Sequence, residues 1–329
     1  MLFNTNLEEI IFHRHETVRS DELVILSGYL GPNPVARLEN LPINSTVIYG
    51  MYGDRGIQQR LHNALINIQI SVPRVNIFYS TVPIHSKCYI WKNQNIIQHA
   101  LIGSANFSTN GLSTPYREIL AETTYDTFQP LHEYIDRVMT NSILCTDIQD
   151  IRTDIQDIRD GTTIIQTPSI QISTQFCRMT LLGRGGQVEA RSGLNWGHGT
   201  GNVTPNDAYI PIRKEHIRSY PFLFPPKQEF PNINNGGRLQ RHNDIVEIIW
   251  DDGFTMNGLL EGSQDEVGIL YPKQISSAPI KATMGEYIRY RLGIPLGTFV
   301  TREHLENYGR MDIDVSLLDD GIYYFDFSV

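Results

Sequence analysis

An α/β domain built on a mixed sheet, followed by a β-rich domain of small-barrel type, is the architecture that this sequence predicts. Three observations predict it. Over the first 140 residues, short apolar segments alternate with amphipathic ones and then give way to a meander of strand-like segments; this is the pattern of helices covering a partly parallel sheet. A tandem heptad marks a boundary at residues 146–159. From about residue 175, strand-like stretches are separated by clusters of Gly, Pro, Asn and Asp, the texture of a barrel joined by turns. A length of 329 residues accommodates two cores, at roughly 100–200 residues per domain.

In chain order, ELVILSGYL (22–30), STVIYGMY (45–52) and RVNIFYS (74–80) read as buried strands rich in Val, Ile and Tyr. PVARLENL and IQQRLHNALINI, between them, carry apolar residues at helical spacing. HSKCYIW (85–91), NIIQHALIGS (95–104) and REILAETT (117–124) are three further strands, and FQPLHEYIDRVMTNSI (128–143) closes the series as an amphipathic helix. Residues 146–159 repeat TDIQDIR twice, placing Ile148, Ile151, Ile155 and Ile158 on one face of a helix too short to stand alone. GTTIIQTPSIQIST then reads as an extended linker. QFCRMTLL, DAYIPI, IVEIIW, FTMNGLL, GILYP, TFVT and GIYYFDF are short strands of the second domain, in which TMGEYIRYRLG is the one convincing helix. The expected divisions are residues 1–145, an acidic repeat and linker at 146–174, and 175–329.

Composition narrows the function classes. No run of eighteen apolar residues occurs, so no membrane helix is expected. The segment MLFNTNLEEI lacks the basic-then-apolar pattern of a secretory signal. Cys88, Cys145 and Cys177 are odd in number and include no CxxC pair, which argues for a reducing, cytoplasmic setting and against a disulfide framework or a cysteine zinc site. The net charge of −9 conceals a distribution: residues 146–160 hold 2 Lys/Arg against 5 Asp/Glu, a third of the excess in fifteen residues. A local basic face for phosphate is compatible with that balance.

Phosphodiester hydrolysis without a metal requires a nucleophile, a proton donor for the leaving oxygen and fixed positive charge on the non-bridging oxygens. Alternation along a strand puts residues i and i+2 on one face, so His85 and Lys87 set an imidazole beside an ammonium. Ser104 and Asn106, also two apart at the end of the next strand, offer hydrogen-bond donors to the same phosphate. A carboxylate is needed to orient the imidazole; Glu118, at the start of the following strand, is well placed, and Glu122 is the alternative. The bland reading is a core histidine with Lys87 reaching outward; HxK occurs often by chance, and its pairing with GSxN and a downstream glutamate is what sets this stretch apart.

His85, Lys87, Gly103, Ser104 and Asn106 match the HxK and GSxN elements of the phospholipase D superfamily, which residues 10–145 resemble. The aspartate usual in that family five positions after the lysine is replaced by Lys92, and nothing acidic lies between Lys87 and Asn106; a downstream glutamate in the orienting role points to the nuclease branch. Among ten histidines only His85 is followed two places later by lysine. Because the superfamily's chemistry uses two HxK sets, one attacking to form a phosphohistidine and one protonating the leaving group, the resemblance implies an obligate homodimer with one composite site formed by the N-terminal domain. No cofactor and no metal are implied.

In the second half, RSGLNWGHGTGNVTPNDAYIPIRK (191–214) offers Arg191, Asn195, Trp196, His198, Arg213 and Lys214. WDDGFTMNGLLEG (250–262) offers Asp251, Asp252, Thr255, Met256 and Asn257. Arg and Lys bind phosphate or guanine edges, Asn pairs with adenine, and a carboxylate accepts from cytosine N4. Arg238 and Arg241 lie between, suited to backbone contacts. For each residue the plain alternative is an ordinary surface loop, with Trp196 in the core. Together with the N-terminal motifs, the SGLNWG…NDAYIPI stretch is similar to the BfiI/NgoFVII type of restriction endonuclease, most closely its NgoFVII members. That resemblance implies a phospholipase D-like nuclease followed by a B3-like DNA-binding (pseudo)barrel. It further implies a Type II enzyme that cuts double-stranded DNA near a short asymmetric site without magnesium, gripping the groove with two arms at about 191–200 and 251–258. A lipid phosphodiesterase of the same superfamily and a non-catalytic dimeric DNA-binding regulator are the competing expectations. The acidic repeat is either a DNA mimic that closes the nuclease or a solvated connector.

Overall fold

Leu23, Val24, Ile25 and Leu26 are all buried, as a strand covered on both faces requires. They belong to the first of two units, Met1–Thr174 and Gln175–Val329, in a computed structural model of the chain. The structure describes residues 1–113, 116–148, 151–152, 176–227, 229–231, 239–241 and 243–329. No helix among them is long and apolar enough to cross a membrane.

In the first unit the described strands are β1 (Leu2–Phe3), β2 (Glu22–Ser27), β3 (Asn44–Tyr49), β4 (Ile57–Gln58), β5 (Val75–Ser80), β6 (Lys87–Asn93), β7 (Ile96–Gly103), β8 (Leu120–Glu122), β9 (Ser142–Leu144) and β10 (Ile151–Arg152). Eight of them form one sheet in the order β1-β8-β7-β6-β2-β3-β5-β9. Strands β2, β3 and β5 run parallel, joined by helical crossovers, whereas β6, β7 and β8 form an antiparallel meander. The sheet is therefore mixed, and β2 is the strand where the two regimes meet.

Two short strands departed from expectation. The helix over 128–143 stops at Thr140, and Ser142–Leu144 turns back as β9 to pair with β5. Of the first heptad, Cys145–Asp147 is a 3-10 turn and Ile151–Arg152 pairs in parallel with Ile57–Gln58. An edge with open hydrogen-bonding groups satisfied this segment where an isolated helical heptad had no partner. Residues 149–150 and 153–175, with the second heptad and the linker, lie outside the described residues.

In the second unit the described strands are β11 (Cys177–Thr180), β12 (Tyr209–Pro211), β13 (Glu229–Pro231), β14 (Leu239–Arg241), β15 (Asp244–Trp250), β16 (Thr255–Glu261), β17 (Gln264–Glu266), β18 (Ile269–Tyr271), β19 (Gln274–Ser277), β20 (Asp312–Asp319) and β21 (Ile322–Asp326). Seven build a nearly closed, barrel-shaped sheet ordered β11-β20-β21-β15-β16-β19-β12. All its pairs are antiparallel except β15 with β21. Alternation places Met256, Gly258 and Leu260 of β16 inward, and Trp250, Phe325 and Phe327 fill the core. The expected helix appears at Ala282–Leu292. TFVT is an extended link with Val300 buried, and its Thr301 caps a helix at Arg302–Tyr308 by accepting from the His304 N–H.

Candidate active site and nucleic-acid interface

Register brings the separated motifs to one end of the first sheet. Leu26 of β2 lies opposite Cys88 of β6, so β2 ends where β6 begins. Lys87 lies opposite Gly103, which lies opposite Leu120. The carboxyl ends of β2 and β7 and the amino ends of β6 and β8 therefore adjoin. His85 and Lys87 at the start of β6, Ser104 and Asn106 after the end of β7, and Glu118 just before β8 are carried there by three strands. This end of β2 is also where the chain's neighbours switch from parallel to antiparallel, the kind of position where open α/β sheets form their crevices.

Lys87 is buried and its ammonium donates to the His85 carbonyl at 2.7 Å. Its Nζ lies 3.0 Å from each His85 ring nitrogen. Ser86, between them, is tied at 2.7 Å to the hydroxyl of Tyr134 on the helix Phe128–Thr140. Asn106 Oδ1 accepts from the Tyr29 main-chain N–H at 3.2 Å, which leaves the side-chain NH2 as that amide's donor. The Ser104 hydroxyl accepts from the Ile119 N–H at 3.1 Å, which leaves its O–H free to donate, and its own N–H donates to the Ile119 carbonyl at 3.0 Å. It thereby holds the segment carrying Glu118 against the end of β7. Gly103 permits that approach, because a Cβ there would lie 2.0 Å from the Ile119 carbonyl oxygen.

Burial, and then the Lys87 charge, hold the His85 imidazole below its ordinary pKa, so its neutral form is favoured. Burial also lowers the Lys87 ammonium, against which the negative charge of Glu118 works. Glu118 thus stands within electrostatic reach of the pair. Glu122 is engaged elsewhere, 3.2 Å from the Met1 ammonium and 3.6 Å from Arg14. Lys92, where the superfamily has aspartate, stands at the far end of β6, opposite Glu22 and within 3.3 Å of Asn95 Oδ1. No group of three or more His, Cys, Asp or Glu side chains suited to a metal ion occurs among the described residues.

Sequence reasoning missed the floor of the site. A Cβ on Gly28 would lie 2.9 Å from His85 Cδ2, 3.4 Å from Lys87 Nζ and 3.5 Å from Asn106 Oδ1. Ser27 donates to the Tyr29 carbonyl at 2.5 Å and accepts from the Phe107 N–H at 2.9 Å. The Ser-Gly-Tyr run that closes the apolar run Leu23–Leu26 was the available signal.

The second unit sorts its expected contact residues sharply. Arg191 and His198 are exposed, and the His198 ring packs edge-on to Phe299. Trp196 is half-buried, against Tyr209 and under the Lys281 ammonium at 4.7 Å. Asn195 is a correction: it is fully buried, its NH2 donates to the Glu189 and Val300 carbonyls, and its Oδ1 accepts from the Val300 N–H. Asp251 is another, paired at 2.9 and 2.8 Å with both terminal nitrogens of Arg291 and accepting from the Phe327 N–H; a carboxylate so enclosed is committed to its partner. Met256 is in the core. Asp252 is exposed and caps its own turn through the Phe254 N–H, also lying 3.5 Å from Arg291. Thr255 and Asn257 are half-buried on β16, paired with Ile249 and Glu247. Arg238 lies outside the described residues, and Arg241 ends β14.

A cleft of about 730 Å³ opens elsewhere, between the 181–194 segment, the helix Lys214–Ser219 and the β17–β18 hairpin. Arg184, Arg213, Lys214, Arg218 and Lys273 line it against Glu189 and Glu215. None of residues 251–258 does. Arg213 donates to the Leu182 carbonyl at 2.6 Å, while Lys214 and Arg218 pair with Glu266. Its lining thus carries five basic residues against two acidic ones, the electrostatic form that suits a phosphate backbone.

Comparison with known proteins matches both halves. Residues 5–153 fit the model of the NgoFVII restriction endonuclease N-terminal PLD domain, and residues 169–319 that of the NgoFVII C-terminal B3-like DNA-binding domain. No curated protein matches. Among solved structures, the chain is similar to NucT from Helicobacter pylori, with 16% identity and a TM-score of 0.34 over 44% of this chain and 97% of that one. It is also similar to a phospholipase D family member, Nuc from Salmonella typhimurium, with 10% identity and a TM-score of 0.29 over 42% and 89%. A polyphosphate kinase from Porphyromonas gingivalis shows 12% identity and a TM-score of 0.29 over 46% and 26%. With a phospholipase D-like nuclease unit followed by a B3-like DNA-binding unit, the chain belongs to the NgoFVII restriction endonuclease family and is an endonuclease.

Proposed function

We propose that this enzyme is a cytoplasmic Type II restriction endonuclease that hydrolyses double-stranded DNA near a short asymmetric site without a metal ion, in one composite active site at a homodimer interface. The observation that carries the proposal is the convergence of one His85, one Lys87 and one Asn106 on a single glycine floor. Neutral His85 attacks phosphorus, forming an N–P bond as the ester bond to the leaving oxygen breaks. The partner subunit's His85 gives that oxygen its proton. Water then attacks the phosphohistidine, the partner's His85 takes the water's proton, and the N–P bond breaks to restore His85. The Lys87 ammonium and the Asn106 NH2 hold the non-bridging oxygens, where charge grows in the transition state. Glu118 acts on the pair as the orienting carboxylate.

The basic cleft of the second unit is assigned to the DNA backbone, with Arg184, Arg213, Lys214, Arg218 and Lys273 as phosphate contacts and Arg191 beside them. Incubating the protein with supercoiled plasmid in excess EDTA tests the whole reading. Cleavage by the wild type and its loss in His85→Ala is the expected result. Plasmid that stays intact in EDTA but is cut with magnesium sinks the metal-free mechanism, and a cutting His85→Ala protein sinks the site.

A further inference from the structure

The segment leaving β2 touches both His85 and Asn106, yet nothing in the HxK and GSxN pattern marks it. We propose that Tyr29 is the positioning residue of this active site, its ring fixing the His85 imidazole and its main-chain N–H fixing the Asn106 amide. The Tyr29 ring lies 5.8 Å from the His85 ring, centroid to centroid, at an interplanar angle of 76°. Such edge-to-face contact is directional and resists rotation of either ring. Tyr29 is itself backed by Tyr49 at 6.3 Å, and Tyr49 by the fully buried Tyr79 at 5.7 Å. A series of rings anchored in the core thus ends against the nucleophile.

The other half of the role is in the backbone. Tyr29 N–H donates to Asn106 Oδ1 at 3.2 Å, which settles the amide's orientation and leaves its NH2 as the donor. Ser27 Oγ holds the Tyr29 carbonyl at 2.5 Å, and Leu30 bridges to Phe107. One residue therefore couples the imidazole on β6 to the amide beyond β7. His85 is otherwise exposed, and an exposed ring samples orientations unsuited to in-line attack; displacement of about 1 Å is enough to slow chemistry roughly 100-fold.

This role presupposes the nucleolytic reading of the site. Its test is single-turnover cleavage of plasmid by the full-length wild type, Tyr29→Phe and Tyr29→Ala over a pH series, with thermal unfolding as the control for folding. Tyr29→Phe keeps the ring and main chain and is expected to cleave near the wild-type rate. Tyr29→Ala is expected to lower the chemical step about 10- to 100-fold while DNA affinity stays within about threefold. It is also expected to move the acid limb of the rate profile to higher pH, because uncovering His85 relieves the burial that holds its pKa down. If Tyr29→Ala does not fold, Tyr29→Leu fills the same space without an aromatic edge and carries the same expectation. An alanine or leucine variant with wild-type rate and an unmoved acid limb overturns the role, as does a phenylalanine variant as slow as alanine. Those outcomes leave the nuclease reading intact, whereas a wild type that cuts no DNA under any condition takes both down.

Discussion

Asn195 and Lys87 show what single residues in this chain do. Asn195 sits in a glycine-rich loop and has the chemistry to read adenine, but it is a fully buried tie between Glu189 and Val300. Replacing it by alanine leaves the Val300 N–H and C=O and the Glu189 carbonyl without that partner, at about 1–3 kcal/mol for each buried group left unsatisfied. Asn195→Ala should therefore melt several degrees lower, read by calorimetry, while DNA affinity measured well below the transition changes less than about twofold. A large loss of affinity at unchanged stability would restore Asn195 as a base contact. Lys87 makes a different prediction. Its charge is the second influence, after burial, that depresses the imidazole. The neutral form of His85, the proposed nucleophile, therefore persists below the ordinary histidine value of 6.5, and Lys87→Met should move the acid limb of the residual cleavage rate to higher pH. The HxK and GSxN residues were legible because their spacing is local and their chemistry specific. Asn195 and Asp251 were misread because the same polar groups serve interior ties and ligand contacts, and only burial separates the two. Glu118 was legible only as a candidate, since which carboxylate reaches the pair is decided by the register of β7 with β8.

At the scale of elements, the long apolar strands were legible and the short ones were not. β2, β3 and β5 are six-residue strands that are mostly buried and rich in Val, Ile and Tyr, so composition marked them. β1 has two residues and β9 three, and each forms only because an edge was open beside it. The helix Arg302–Tyr308 depends on its Thr301 cap more than on any apolar stripe. The basic cleft was invisible for another reason: its cations come from segments as distant as Arg184, Lys214 and Lys273, which only barrel closure brings together. The junction of β7 with β8 makes a sharp prediction. A methyl on Gly103 meets the Ile119 carbonyl, so Gly103→Ala must push the two strands apart. The Ser104 contacts with Ile119 go with them, and Glu118 moves away from Lys87. Cleavage should fall at least tenfold, with a melting point several degrees lower. The control Gly253→Ala, at an open turn where the Cβ meets nothing, should fall much less in activity despite its positive φ. Equal activity of Gly103→Ala and wild type in a plasmid assay would remove β8 from the catalytic machinery.

For the whole molecule, the arithmetic of histidines is the argument for a proposed enzyme that works in pairs and not as a single chain. One His85 and one Lys87 per chain supply a nucleophile with its phosphate clamp, but no second imidazole to protonate the leaving oxygen. The two buried histidines among the described residues are committed elsewhere. His62 is tied to Tyr79, and His216 caps its own helix through Arg213. In the proposed mechanism a two-fold axis through the site would supply the missing group at no further requirement on the sequence. Its consequence is measurable by co-expressing wild type with His85→Ala in differing ratios and purifying the mixed population. If each active site needs both copies, activity follows the square of the wild-type fraction, so an equal mixture retains about one quarter. If each chain cuts on its own, the same mixture retains about one half. DNA binding, which needs no His85, should stay constant across the series and normalises the comparison. A linear decline in cleavage at constant binding would reject the composite site and send the search for the general acid back into the single chain.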